Sequence, residues 1–222
     1  MKEVAKSAPT NMEGSRTARA AEAEETRFNI LEVATEEFAD KGLSGARIDE
    51  IAERTNSSKR MIYYYFGGKE GLYRAVLERA YTAVREVDAD NRRDHLAPDA
   101  ALRDVVGVTF DYHNQHPEFV RLVMNENILR GAHVGEVPGI RERNRKVVDQ
   151  LRGILARGVA SGHFREGIDP VELHMTISAL CFYNVSNRYT FSYGFERDMN
   201  SPKALARRRM SIIDVIESWC RR

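Results

Sequence analysis

No stretch of this chain alternates polar and apolar residues with the period of two that a half-buried strand requires. Apolar residues instead return at spacings of three and four through nearly every segment beyond residue 23. That pattern confines the chain to an all-α fold, and glycines and prolines mark where its helices stop and start. Phe28, Leu31, Ala34 and Phe38 make one stripe over about 25–41, and Gly42 stands where a helix end favours a left-handed residue. Ile48, Ile51 and Ala52 define a short second helix over about 48–55. A third follows Asn56–Ser57, and a long fourth starts near Lys69 with Leu72, Val76, Ala80 and Val84 on one face. Pro98, Pro117, Pro170 and Pro202 each suit the first position of a helix, where a missing N–H costs nothing. With the periodicity they predict helices over about 98–115, 117–129, 140–161, 170–191 and 202–220. Asp169 with Glu172 has the form of a capping box.

Composition narrows the function. The 222 residues carry a net charge of only +1, so no global field marks a nucleic-acid binder and any such surface must be local. Cys181 and Cys220 sit in apolar contexts without metal or redox spacing and read as reduced thiols. No apolar run is long enough to span a membrane, and the N-terminus lacks an apolar signal core. The expectation is a cytoplasmic protein with no membrane partner. Residues 1–23 are poor in large apolar side chains and are expected to form a flexible arm. Residues 24–68 then form a small helical unit, and 69–222 a larger one joined to it by the long fourth helix.

One segment does not read as a core helix: SSKRMIYYYFGGKE, residues 57–70. Ile62 and Phe66, four apart, face inward. Lys59 with Tyr63, and Arg60 with Tyr64, occupy the outer faces. Two short helices around a tight turn make a helix-turn-helix, and such an outer face suits phosphates and base edges in a major groove. Asn56 tolerates the left-handed backbone of the turn, and Ser58 is placed to cap the helix. Lys69, at a new helix start after Gly67–Gly68, is placed to share a phosphate with free backbone N–H groups. Between residues 41 and 69, six cations (Lys41, Arg47, Arg54, Lys59, Arg60, Lys69) outnumber three anions (Asp49, Glu50, Glu53), a local balance of +3. The competing explanation is a solvated charged face with snorkelling tyrosines.

The run FADKGLSGARIDEIAERTNSSKRMIYYYFGGKEGLY resembles the DNA-binding domain of the tetracycline-repressor (TetR) family of bacterial transcription regulators, over about 26–75. The resemblance implies a three-helix DNA-binding domain and a helical ligand-binding and dimerisation domain. It places Tyr63, Tyr64 and Tyr65 at the family's tyrosine and histidine positions and makes Lys69 its phosphate lysine. Lys59, Arg60 and Met61 fall at its variable, base-reading positions. The family's usual Thr-Thr before the second helix is Ala46–Arg47 here, which adds Arg47 to the candidate DNA contacts alongside Ser58. HPEFVRLVMNENILRGAHV (116–134) is similar to the branch of pyrimidine-utilisation and nicotinate-catabolism regulators.

Segment 170–191 is apolar nearly all round, and the last helix spaces Ile212, Ile213, Ile216 and Trp219 helically. Paired with symmetry mates, these two helices would form a four-helix dimer interface including Leu180 and Tyr189, and the resemblance implies the same homodimer. Polar residues intrude where core is expected. His113, Asn125, Glu126, Arg130 and Asn187 are candidates to orient a small effector, with Phe110, Met124, Phe182 and Tyr183 as apolar walls. Each polar residue has a blander explanation as a helix cap or solvent-facing group. His113 and His116 have helical metal spacing but end a helix before Pro117, so no metal or other cofactor is expected. No nucleophile elbow, HExxH or phosphate loop supports an all-helical enzyme. The sequence therefore points to a dimeric, ligand-responsive repressor of a pseudo-palindromic DNA operator. The alternative is an architectural DNA-binding protein without a ligand.

Overall fold

A computed structural model describes residues 12–88 and 93–222. These residues form ten α-helices, a 3-10 turn at Val134–Glu136 and no strand, and an isolated antiparallel bridge joins Phe164 to Arg221. They divide into two compact units, one ending at Tyr73 and the other running from Arg74 to Arg222.

The first unit contains α1 (Met12–Gly45), α2 (Ile48–Arg54), α3 (Lys59–Phe66) and the first turn of α4 (Lys69–Asp88). Gly42, at φ 66° and ψ 175°, breaks α1 where the sequence puts its end. Its start differs. Residues 1–11 of the expected arm lie outside the described residues, but 12–23 are helical rather than an unstructured arm. Ala, Glu and Arg dominate there, and these strong helix formers extend α1 by turns that need no core. Arg19, Ala20, Ala21 and Glu22 are exposed. The buried stripe begins at Ile30 and continues through Ala34 and Phe38, while Phe28 faces solvent. Ile51, Ile62, Leu72 and Tyr73 complete this core, with the Phe38 and Tyr73 rings edge to face at 5.1 Å. Burying each such side chain is worth about 1.5–3 kcal/mol.

The second unit holds the rest of α4, then α5 (Pro98–Gln115), α6 (Pro117–Ile128), α7 (Ile140–Ala160), α8 (Pro170–Ser186), α9 (Arg188–Phe195) and α10 (Pro202–Cys220). Four of these helices open on their prolines, and the Asp169 carboxylate accepts the Val171 N–H at 2.7 Å at the start of α8. The main core draws Leu102, Val106 and Phe110 from α5, Leu151 and Ile154 from α7, Ile177 and Cys181 from α8, and Cys220 from α10. At Gly158 of α7 a Cβ would drive into the Phe164 ring, so the close packing of that loop on α7 requires glycine.

Two expectations for this unit are corrected. The single helix over 170–191 is two helices, because Asn187 adopts φ −109° and ψ 5° between α8 and α9. The Ser186 hydroxyl donates to the Asn187 side-chain oxygen at 2.6 Å, a local bond that competes with helix continuation. The expected dimer residues Ile212, Ile213 and Ile216 are no more than 2% exposed and belong to the chain's own core. Side chains already enclosed by α5, α7 and α8 cannot also face a partner. Leu180 and Trp219 pack against the same core from its edge, whereas Tyr189 is exposed.

Candidate nucleic-acid interface

The turn between α2 and α3 is built as the sequence suggests. Asn56 takes φ 50°, the left-handed value, and the Thr55 hydroxyl donates to the Ile51 carbonyl at 2.8 Å. Ser58 caps α3 by accepting the Met61 N–H at 3.2 Å. Gly67, at φ 73°, ends the helix and donates its N–H to the Tyr63 carbonyl at 2.8 Å. Within α3 only Ile62 is buried. Lys59, Arg60, Met61, Tyr63 and Tyr64 are exposed, with Tyr64 the most open at 79%. Tyr65 and Phe66 are half-buried. The Tyr65 ring lies edge-on to Tyr64 at 5.4 Å, and the Arg27 guanidinium sits 5.8 Å from the Phe66 centroid.

Carboxylates of α2 hold several of the cations. Lys59 pairs with Asp49 at 2.7 Å, and Arg47 lies 3.9 Å from both Asp49 and Glu50. Lys41 pairs with Glu50 and with the buried Glu37, whose carboxylate also accepts the Arg47 N–H at 3.1 Å. The hydrogen bond from Lys59 holds Asp49 below the usual carboxylate range, and that from Lys41 does the same for Glu50. Arg60 has no carboxylate within ion-pair distance among the described residues. Lys69 donates to the Ser44 carbonyl at 3.2 Å, which holds its stem beside the α1–α2 connection. The surface offers hydroxyls, one unpaired guanidinium and several ammonium and guanidinium groups in weak, exposed pairs. Such groups can exchange a carboxylate for a phosphate. Sequence reasoning missed Asp49 as the partner of Lys59, since a pair ten residues apart on two helices leaves no local pattern.

The expected effector residues scatter over the second unit. Phe110 lies in the main core. His113, 4% exposed, stacks on Phe119 at 5.8 Å and meets the edge of Phe182 at 6.0 Å, so these two candidates share one aromatic cluster. Glu126 is buried and accepts the N–H groups of His133 and Val134 at 2.6 and 2.9 Å, latching the loop after α6. Arg130 takes φ 60° and is exposed in that loop, Asn187 marks the α8–α9 break, and Asn125 is half-buried beside Met124, itself 38% exposed. Tyr183 lines a separate groove formed by α8, α9 and α10. Among the described residues no three His, Cys, Asp or Glu side chains are grouped to hold a metal, and no helix is long and apolar enough to cross a membrane.

Comparison with known proteins covers both units. The family "Bacterial regulatory proteins, tetR family" matches residues 30–76, and "Tetracyclin repressor-like, C-terminal domain" matches residues 98–216. The HTH-type transcriptional repressor NicS of Pseudomonas putida is 38% identical over 188 residues, 85% of this chain and 89% of NicS. The HTH-type transcriptional regulator RutR of Escherichia coli K12 is 32% identical over 152 residues, 68% of this chain and 69% of RutR. The crystal structure of SCO4942 from Streptomyces coelicolor superposes with a TM-score of 0.68 at 27% identity, covering 88% of this chain and 98% of that one.

Proposed function

Because the chain belongs to the tetR family of bacterial regulatory proteins, we propose that it represses transcription by seating α3 in the major groove of a pseudo-palindromic operator. It does so as a homodimer in the cytoplasm, and a small effector lowers its hold on DNA. The observation that carries this reading is α3 itself, a capped helix with one buried side chain and an outer face of hydroxyls and cations. Lys59, Arg60 and Met61 read base edges. Tyr63, Tyr64, Lys69 and Arg47 contact phosphates, Ser58 sets the helix start, and Tyr65 buttresses Tyr64. The dimer forms through the exposed stripe Val171, Met175 and Ala179 of α8, with Met210 and Val215 of α10. No reaction is assigned to the chain.

The effector acts through α4. Ala80, Tyr81 and Val84 of that helix pack on Phe119, Val120 and Val185, with Tyr81 edge to face on Phe119 at 5.7 Å. A ligand inserted beside His113 and Phe182 moves this cluster and α4 with it. Shifting a population from 1:99 to 99:1 takes about 5.5 kcal/mol of differential affinity, so the site must make several good contacts in one state only. Sequencing of genomic fragments retained by the purified protein tests the reading. Enriched sites with dyad symmetry, their half-sites about 34–36 Å or a small multiple apart, are expected. A footprint without dyad symmetry, or no enrichment at all, would sink it.

A further inference from the structure

The groove bounded by the end of α8, by α9 and by the start of α10 has a volume of about 700 Å³, a size that suits a small organic ligand. Four cationic side chains line it: Arg197, Lys203, Arg207 and Arg208. None of them has a carboxylate partner among the described residues, in contrast to neighbouring Arg209, whose Nε donates to both Asp111 oxygens at 3.0 Å. The one carboxylate in the wall, Asp198, turns to its own loop and accepts the Asn200 N–H at 2.8 Å. Tyr183 and Phe191 supply an apolar wall with ring centroids 6.4 Å apart, nearly perpendicular. The groove floor includes Asn184, 2% exposed, whose amide N–H donates to Asn114 at 2.9 Å, so this end of α8 is fixed from behind.

Four like charges gathered in one concavity repel one another, and a bound anion relieves that repulsion. The rings favour an organic anion over a bare ion, because only the organic one also removes their apolar surface from water. We propose that this groove is a binding site for a small organic anion, a carboxylate or phosphate ester on a flat ring. The charge is held by Arg207 and Arg208, with Arg197 and Lys203 around it, and the ring lies against the wall that Tyr183 and Phe191 form together. Planar guanidinium groups grip either head group in a bidentate fashion. This site is separate from the aromatic cluster around His113, and its occupancy does not depend on the DNA-binding reading.

Titration calorimetry of the full-length protein tests the proposal with benzoate, phenyl phosphate, neutral benzamide and inorganic phosphate as probes. Benzoate or phenyl phosphate should bind, and whichever is tighter identifies the head group. Benzamide should bind at least about tenfold more weakly, as loss of a charge-assisted contact implies. Arg207→Gln/Arg208→Gln, checked for an unchanged helical spectrum, should weaken the aromatic anion by about tenfold or more. Phe191→Leu should weaken the aromatic anions while leaving inorganic phosphate unaffected. Equal binding by wild type and the double variant overturns the proposal. So does a wild-type protein that ignores all four probes while the double variant shifts its sedimentation, a result that would give the groove to a second copy of the chain.

Discussion

Lys59 and Lys69 both carry ammonium groups beside α3, Lys59 exposed and Lys69 half-buried, and their surroundings suit the different roles proposed for them. Lys59 projects from the first turn of α3 and is oriented by Asp49 at 2.7 Å. Lys69 is tethered to a backbone carbonyl at the start of α4. Lys59→Ala, like Arg60→Ala, should therefore change the sequences selected, by about 1–3 kcal/mol per lost bidentate base contact. Lys69→Ala should weaken all duplexes alike and flatten the logarithmic salt dependence by about one unit. Binding titrations across salt concentrations, run beside selection on random DNA, separate the two outcomes. If the Lys59 variant selects the same sites as wild type, Lys59 is not a base reader. Elsewhere, burial pushes the Cys220 thiol up to about 11 from the ordinary 9.0. Roughly a thousandth of it is then thiolate at pH 8, so alkylation of the native protein should be slow and should become fast on unfolding. The sign of the linkage follows. A thiol whose folded pKa is raised stabilises the fold fully below pH 9.0 and loses that contribution as pH rises through about 11. Rapid labelling at pH 8 without loss of helical signal would show the thiol to be accessible.

Helices α7 and α8 owe their positions to features of very different visibility. The start of α8 is plain in Asp169-Pro170, and its end is not, since neither glycine nor proline stands at 187. A side-chain hydrogen bond between adjacent residues there does what a breaker residue does elsewhere. The contact of α7 with the loop at Phe164 depends on a missing Cβ at Gly158. Gly158→Ala gains helix propensity but forces the Phe164 ring aside, and that ring belongs to the main core. The overpacking cost of about 1–3 kcal/mol exceeds the gain of about 1 kcal/mol, so net destabilisation is expected in thermal melts. A more stable Gly158→Ala protein would mean that the loop can move away freely.

The two faces of α10 part the fold from the assembly. Ile216 is fully buried in the chain's own core, so Ile216→Glu should unfold the second unit, because an unpaired carboxylate has no place there. Val215, one residue earlier, is 51% exposed on the face proposed to meet a partner. Val215→Glu, combined with Met175→Glu on α8, should leave the helical spectrum and melting temperature near wild type. It should also convert the dimer to monomer and reduce operator affinity. Sedimentation velocity and thermal melts on the same samples read both effects. An intact dimer in this double variant would move the interface to another surface.

What the sequence determined by itself is local. Hydrophobic period, helix-initiating prolines, the capping hydroxyl of Ser58 and the left-handed Asn56 are properties of neighbouring residues. They set the all-α class, most helix limits and the character of α3. The tertiary structure alone decided which face of each helix is already occupied. A stripe of isoleucines on α10 looks the same whether it meets α5 and α8 of its own chain or a second copy, since hydrophobic burial has no direction or address. Likewise nothing in the spacing around Glu126 shows that the loop at His133 folds back and donates to its carboxylate. The three consecutive arginines at 207–209 look alike until Asp111 neutralises one and leaves two facing a groove. Pairings between distant residues depend on where the chain returns in space, and one-dimensional spacing carries no record of that return.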